Sequence, residues 1–165
     1  MIRPYQPSDL DRLMQIWLEA NREAHDFIPE QYWLDHVPMV REALPQAWLL
    51  VSEQAETGEI QGFLGLMDDF IAGLFVDSRF RGHGIGAELL AAARTFHDRL
   101  QLQVYCRNTG AVRFYLREGF VQKEEDLENE TGQREWTMLW ERKNQNARDG
   151  QKTESVKKNE SCCCA

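Results

Sequence analysis

The chain has 165 residues and a mass of 19.3 kDa, which suits one domain with a substantial core. Hydrophobic residues make up 42% of the sequence and charged residues 28%, as in globular rather than disordered, fibrous or membrane-spanning proteins. No apolar run approaches the roughly 18 residues that a spanning helix needs, and the first residues have no signal-peptide core. The sequence therefore predicts a cytoplasmic protein with no membrane partner.

Charge is distributed unevenly along the chain. The formal net charge is −8, from 19 basic and 27 acidic residues. Six of the basic and four of the acidic residues follow Trp140, which leaves residues 1–140 with 13 basic and 23 acidic side chains. Such an acidic body disfavours nucleic acid as a ligand, because contacts to phosphates dominate that affinity. A basic partner, such as an amine or a lysine side chain, suits it better.

The composition changes after residue 140. From there to the end the sequence has no aromatic residue, and its one branched aliphatic residue is Val156, so it has too little apolar surface to offset its ordering entropy. These features predict a globular domain over residues 1–140 and a disordered tail over residues 141–165. Three of the four cysteines lie in this tail, and Cys106 alone cannot form a disulfide framework in the domain.

The hydrophobic pattern of the domain predicts a mixture of strands and helices. Ser8 and Asp11 resemble a helix-capping box, and the apolar residues after them lie at helical spacing. An antiparallel meander is followed by alternating strands and helices, which indicates an α+β domain rather than a doubly wound sheet. The predicted strands are 2–5, 47–52, 60–67, 70–76, 102–107, one near Phe120 and one at 136–140. One helix is predicted after Ser8, and the others are predicted over 30–44, 84–100 and 110–118.

A glycine-rich segment joins the strand predicted at 70–76 to the next helix. Gly82, Gly84 and Gly86 allow backbone N–H groups to converge on an anion, and the helix dipole adds partial positive charge. Arg81 adds a full positive charge beside them. The combination predicts a pyrophosphate-binding loop, although a glycine-rich turn that only caps a helix would read the same way.

Two other kinds of pyrophosphate loop fit this segment poorly. A P-loop needs Lys and then Ser or Thr after its last glycine, and Ala87 and Glu88 stand there instead. A dinucleotide-binding loop opens a parallel sheet, and an acid ends the next strand. Here antiparallel strands come first, and the next predicted strand ends at Cys106 and Arg107.

A second motif follows the strand predicted at 102–107. Asn108 and Tyr115 are separated by about two helical turns, so they share one helix face, with Ala111 between them. The small side chain of Ala111 leaves room for a thin ligand. By themselves these residues also fit a helix cap at Asn108 and a core tyrosine at Tyr115.

Together the two motifs resemble those of the GNAT superfamily of N-acetyltransferases. The first GNAT motif is Gln or Arg, two residues, Gly, one residue, and Gly or Ala, which matches Arg81, Gly84 and Gly86. The second is Asn, two residues, Ala, two residues and Phe-Tyr, followed by Gly-Phe, and it begins at Asn108.

The similarity extends over residues 1–140, and segments near residues 17–33 also resemble small bacterial peptidyl-lysine N-acetyltransferases. The resemblance implies the GNAT fold, a mixed and mostly antiparallel sheet that is splayed between its fourth and fifth strands and flanked by helices. It implies that acetyl-CoA and a primary amine bind together and that the amine attacks the thioester directly. The expected acceptor is a protein or peptide lysine, or an N-terminal amine, and no metal is expected.

The resemblance also assigns expected roles to single residues. The backbone of Phe75 and Val76 would pair with the pantetheine arm, and an N–H group there would stabilise the oxyanion. Asn108 would contact the cofactor arm, and Tyr115 would be the general acid for the departing thiolate. The residues expected to hold the pyrophosphate are Arg81, Gly82, His83, Gly84, Ile85 and Gly86.

The base that takes a proton from the amine is not evident in the sequence. A lysine amine has a pKa of about 10.4, so its deprotonation at pH 7 costs about 4.6 kcal/mol. Many GNAT enzymes carry a Glu on the fourth strand, but residues 71–76 contain no acid. The candidates are an ordered water and the side chains of Glu19, His25, Glu30, Asp68 and Asp69.

Two other functions fit the same sequence. One is an enzyme that acetylates a small amine, such as a polyamine, an amino acid or a drug. The other is a module that binds acyl-CoA without catalysis; the missing acid supports it and Tyr115 opposes it. A metal enzyme is not predicted, because His25, His36, His83 and His97 lack the usual ligand spacing.

Overall fold

A computed structural model describes residues 1–143, which form seven strands and four α-helices. The strands are β1 (Ile2–Pro4), β2 (Trp48–Glu53), β3 (Ile60–Met67), β4 (Phe70–Val76), β5 (Arg99–Tyr105), β6 (Val121–Leu127) and β7 (Arg134–Glu141). The helices are α1 (Leu10–Ala24), α2 (Glu30–Ala43), α3 (Ile85–Arg94) and α4 (Thr109–Arg117). None of these helices has the length and apolar character that crossing a membrane requires.

One sheet contains all seven strands, in the order β1-β2-β3-β4-β5-β7-β6. Neighbouring strands are antiparallel except β4 and β5. This parallel pair is short: Phe70 lies opposite Gln101, Ile71 lies opposite Leu102, and the register ends there. The two strands therefore separate along residues 72–76 and leave a gap in the sheet. The predicted α+β class, the mixed sheet and its splay between the fourth and fifth strands are confirmed.

Two apolar clusters cover opposite faces of the sheet. Helices α3 and α4 pack on one face, where Leu64 and Leu89 are fully buried. Helices α1 and α2 pack on the other face, around Leu13 and Phe63. Phe63 and Leu64 are neighbours in β3 yet belong to different clusters, because successive side chains of a strand point to opposite faces. Each such buried side chain contributes about 1.5–3 kcal/mol, so both layers stabilise the sheet that contains the gap.

The helix predicted over 84–100 is too long, because the chain leaves α3 and enters β5 within that range. Phe96 and Leu100 continue the helical spacing of apolar residues, which caused the error. In the structure Phe96 is 69% exposed, whereas Leu100 is fully buried in β5 between the exposed Arg99 and the half-buried Gln101. Burial in the sheet therefore outweighs helical periodicity here. The strand predicted over 102–107 begins and ends earlier for the same reason.

The capping box predicted at Ser8 and Asp11 is also wrong. The reciprocal contacts lie two residues earlier, where the Gln6 N–H donates to Asp9 Oδ2 at 2.8 Å. The same carboxylate pairs with Arg3 at 2.8 Å. A short 3-10 turn precedes α1, so the helical backbone begins earlier in the chain than the sequence pattern predicts.

The predicted end of the domain at residue 140 falls in the last part of β7. Just beyond this strand, the Arg142 N–H donates to the Asp98 carbonyl oxygen at 2.7 Å, and its Nε lies 2.6 Å from the Asp98 carboxylate. The disordered tail predicted over 141–165 lies outside the described residues from residue 144 onward, so it stays a prediction.

Candidate active site

A cavity of about 570 Å³ lies beside the second half of β4, beyond the point where this strand leaves β5. Its walls are the end of α1, the loop between β4 and α3, the start of α3 and one side of α4. Both sequence motifs therefore reach one cavity. His83 is the predicted site residue that does not line it. Those that do are Phe75, Val76, Arg81, Gly82, Gly84, Ile85, Gly86, Asn108 and Tyr115.

Glycines shape the loop between β4 and α3. Gly82 and Gly84 have φ angles of 77° and 80°, in the left-handed region that favours glycine. Gly84 is the N-cap of α3, so the N–H groups of the next residues have no partner inside the helix. Gly86 lies so close to α4 that a Cβ there would stand 3.1 Å from Cζ of Phe114. Free N–H groups and the positive end of α3 suit an anion at this wall.

Arg81 connects two walls of the cavity. Its Nε donates to the carbonyl oxygen of Val76 at the end of β4, at 3.2 Å. Its Nη1 lies 2.8 Å from the carboxylate of Glu23, in the last turn of α1. Both charged side chains are nearly half exposed, so the ion pair adds little stability. An anionic ligand in the cavity would compete with Glu23 for this guanidinium.

Asn108 is both a helix cap and a link across the cavity. The N–H of Ala111 donates to Asn108 Oδ1 at 3.3 Å, which caps α4. Its other side-chain atom, Nδ2, lies 3.2 Å from Nε2 of His25. Asn108 therefore begins the helix that carries Tyr115 and joins this helix to the end of α1.

Tyr115 lies inside α4 and is 8% exposed. Its ring packs edge-on against Phe114 and Phe120, with centroid distances of 5.2 and 5.4 Å. Burial raises the pKa of the Tyr115 hydroxyl above its ordinary value near 10, so the group is protonated at neutral pH. A protonated hydroxyl in the wall of the cavity is a hydrogen-bond donor for a ligand there.

The five candidate bases occupy three different places. Within the described residues, His25 is the one that lines the cavity. Glu19 and Glu30 line a separate recess on the surface. Asp68 and Asp69 form the turn before β4, about 20 Å along that strand from its cavity end. No Asp or Glu of residues 1–143 lines the cavity, so the structure places no carboxylate base there.

Aromatic rings surround His25 on the side of α2 and β5. The imidazole stacks on Trp33, with centroids 5.2 Å apart, and meets Phe27 and Tyr105 edge-on at 5.6 and 5.1 Å. Burial lowers the pKa of His25, and the backbone of Asn21 offsets part of that shift. The imidazole is therefore neutral at pH 7. Sequence reasoning missed Phe27 and Tyr105, because nothing in the local pattern indicates that they meet His25.

A group of acidic side chains lies beyond these rings, at the turn between β6 and β7. The Tyr32 hydroxyl donates to Glu130 Oε2 at 2.8 Å, and His36 Nε2 lies 3.3 Å from the same oxygen, so α2 and this turn are joined. Burial raises the pKa of Glu135, and the nearby charge of Glu128 raises it further. Carboxylates that repel one another in this way favour a cationic partner.

The gap in the sheet and the loop beside it are features of an acetyltransferase, and comparisons with known proteins agree. Residues 45–122 match the family model of the acetyltransferase (GNAT) domain. The chain is 37% identical over 142 residues to the peptidyl-lysine N-acetyltransferase YiaC of Escherichia coli, a match that covers 85% of this chain and 96% of that protein. The chain belongs to the GNAT family of acetyltransferases, whose acetyl donor is acetyl-CoA.

Two further comparisons support this assignment. The peptidyl-lysine N-acetyltransferase YjaB of Salmonella typhimurium is 34% identical over 121 residues, which cover 72% of this chain and 81% of that protein. The solution structure of apo-form YjaB from Escherichia coli superposes with a TM-score of 0.76 at 27% identity, over 84% of this chain and 95% of that one. The predicted family, fold and enzyme class are confirmed.

Proposed function

We propose that this acetyltransferase transfers the acetyl group of acetyl-CoA to the side-chain amine of a lysine in a protein or peptide. The observation that carries the proposal is the single cavity in which both motifs meet beside the unpaired part of β4. Two relatives that span most of this chain are peptidyl-lysine N-acetyltransferases by name. Their names support the same class of acceptor here.

The residues of the cavity fit acetyl-CoA. The pyrophosphate would contact the guanidinium of Arg81 and the free N–H groups at the start of α3, in a loop where a Cβ at Gly82 or Gly84 would be strained. The pantetheine arm is an extended chain of amides, and β4 loses its parallel partner after Ile71. The backbone at Phe75 would therefore pair with the arm as a strand pairs with its neighbour.

The chemistry requires one proton to leave the amine and one donor to stabilise the departing sulfur. A free thiol has a pKa of about 8.5, so a hydrogen bond from the protonated Tyr115 is sufficient help for the thiolate at pH 7. The bond that forms joins the amine nitrogen to the acetyl carbon, and the bond that breaks is the thioester C–S bond. Because no carboxylate among residues 1–143 lines the cavity, the ammonium proton leaves through solvent.

The electrostatics favour a cationic acceptor. The turn between β6 and β7 carries Glu128 and Glu130, and Glu135, the second residue of β7, lies close to Glu128. Together with the formal net charge of −8, this attracts lysine-rich segments and speeds their encounter with the enzyme. A lysine side chain is also thin enough to enter a narrow site while its peptide stays outside.

A thiol-release assay tests the proposal. Purified protein with acetyl-CoA is offered lysine-containing peptides, the same peptides with each lysine acetylated beforehand, and small amines such as a polyamine. We expect CoA release with the unmodified peptides alone. Release with the small amines alone would assign the enzyme to small-amine acetylation. Heat of binding with acetyl-CoA and no release with any acceptor would indicate a non-catalytic acyl-CoA-binding module.

A further inference from the structure

His25 and Asn108 form a hydrogen bond across the cavity, between the residue after α1 and the N-cap of α4. The distance from Asn108 Nδ2 to His25 Nε2 is 3.2 Å, and 83 positions of sequence separate the two residues. Both residues line the cavity, and their side chains meet at its wall. The bond is therefore a direct connection between two walls of the active site.

The direction of this hydrogen bond follows from the cap. Asn108 Oδ1 already accepts from the Ala111 N–H, so the group that faces His25 is the NH₂ of the amide, which can only donate. His25 Nε2 must then accept with its lone pair. The proton of the neutral ring lies on Nδ1, which is buried. One side-chain cap thus fixes the tautomer of the histidine.

The surroundings of His25 also favour the neutral ring. The groups that face it are the indole of Trp33 from α2, the phenol of Tyr105 from β5, the ring of Phe27 and the amide of Asn108. Tyr105 is the titratable one among them, and burial raises the pKa of its hydroxyl, so it is uncharged at neutral pH. Two charged side chains of the same region have other partners: Arg107 lies over the ring of Phe27, and Glu23 pairs with Arg81.

We propose that His25 is a positioning residue for acetyl transfer: its Nε2 holds the Asn108 amide and thereby sets the first turn of α4, and with it Tyr115, against the end of α1. The inference rests on the proposed function, because the position of α4 affects the reaction only if Tyr115 donates a hydrogen bond to the sulfur of the thioester. It also explains why His25 lines the cavity without a free lone pair to act as a base, because Asn108 uses that lone pair.

The arrangement depends on the protonation state of one nitrogen. A proton on Nε2 places an N–H group against the NH₂ of Asn108, so two donors face each other and the bond is lost. The position of α4 would then relax at acid pH. A glutamine at position 25 would supply a carbonyl acceptor that does not titrate, whereas a phenylalanine would keep the aromatic packing and supply no acceptor.

The first test uses nitrogen-detected NMR of the full chain without any substrate, which gives a result whether or not the protein acetylates lysine. We expect the Nδ1–H tautomer for His25 and a pKa below the ordinary value. Asn108→Asp keeps a capping side chain but turns an acceptor toward Nε2, so the His25 pKa should rise. An Nε2–H tautomer in the wild type, or a His25 pKa unchanged by Asn108→Asp, would overturn the inference.

The second test is kinetic and compares two variants with the wild type. His25→Phe should lower kcat roughly tenfold, the usual effect of losing one hydrogen bond, with a smaller change in KM for acetyl-CoA. His25→Gln should keep most of kcat, and its kcat/KM should lack the additional fall at acid pH that we expect in the wild type beyond the slope set by protonation of the amine. Wild-type kcat in His25→Phe, or an unchanged acid limb in His25→Gln, would contradict the positioning role. No turnover by the wild type would instead count against the proposed function.

Discussion

Gly86 and Phe114 bring the two motifs of the cavity into contact. Gly86 lies in the first turn of α3, and Phe114 lies on α4 beside Tyr115. A Cβ at position 86 would stand 3.1 Å from Cζ of Phe114, which is tighter than an ordinary van der Waals contact. The glycine therefore sets how closely the start of α3 approaches the helix that carries the proposed general acid.

Gly86→Ala is expected to push Phe114 toward Tyr115 and widen the contact between the two helices. Alanine favours a helix over glycine by up to about 1 kcal/mol, but overpacking costs about 1–3 kcal/mol, so the net effect should be destabilising. We expect a lower free energy of unfolding and weaker acetyl-CoA binding, measured by denaturant titration and calorimetry. Phe114→Leu removes the far end of the ring, so it should make Gly86→Ala less harmful in a double-mutant cycle. Additive effects would show that the contact does not matter.

Tyr115→Phe should separate chemistry from binding. Phenylalanine keeps the edge-on packing with Phe114 and Phe120 and removes only the hydroxyl. Because a positioned acid contributes about a hundredfold or more, kcat should fall by at least that factor while the Kd for acetyl-CoA stays near the wild-type value. Thiol release and calorimetry measure the two quantities. A wild-type kcat in this variant would remove the general-acid role from Tyr115.

The sequence predicts the ends of a strand accurately where turn residues and apolar runs indicate the same boundary. The strands at 60–67 and 70–76 were predicted at their observed bounds, since Asp68 and Asp69 separate two strongly apolar segments. The prediction failed where periodicity continues across a turn, as between Phe96 and Leu100. Strand β6 was predicted only as a strand near Phe120, because all seven of its residues are exposed and give no alternation.

The walls of the site could be predicted from the sequence, whereas the contacts between them could not. Arg81, Gly84 and Gly86 form one local motif, and Asn108 begins another, so each carries its own spacing signal. The hydrogen bond between His25 and Asn108 joins distant segments, and it exists because α1 and α4 meet at the gap in the sheet. Such pairs depend on the packing of whole elements, which a single sequence does not specify locally.

Substitutions of Arg81 and of Glu23 should change the affinity for acetyl-CoA in opposite directions. Arg81→Gln removes the charge proposed for the pyrophosphate, so affinity should fall and depend less on salt. Glu23→Gln removes the carboxylate that pairs with the same guanidinium, so affinity should rise by up to about fivefold, the range of an exposed ion pair. Calorimetry at two salt concentrations measures both. A loss of affinity in Glu23→Gln would mean that Glu23 orients Arg81 rather than competing with the ligand.

Asp77 should make stability depend on acid pH. The residue is buried at the end of β4, its Oδ1 accepts from the Arg79 N–H at 2.9 Å, and its carboxylate pairs with Arg79 and Arg12. These contacts, the hydrogen bonds of Arg79 first, hold the pKa of Asp77 well below its ordinary value. The stabilisation is therefore complete above the unfolded-state pKa of about 3.9 and is lost as the pH falls toward the lower pKa of the folded state.

Asp77→Asn keeps a side-chain acceptor for the turn but loses both ion pairs, so it should lower the free energy of unfolding by about 1–2 kcal/mol at pH 7. Denaturant titrations between pH 7 and pH 2 measure the difference between the two proteins. The difference should shrink below about pH 4, because the wild-type carboxylate is then progressively protonated. Since Asp77 directly precedes the loop of Arg81, the variant should also bind acetyl-CoA less tightly at pH 7. A stability difference that stays constant down to pH 2 would show that the charge of Asp77 does not stabilise the fold.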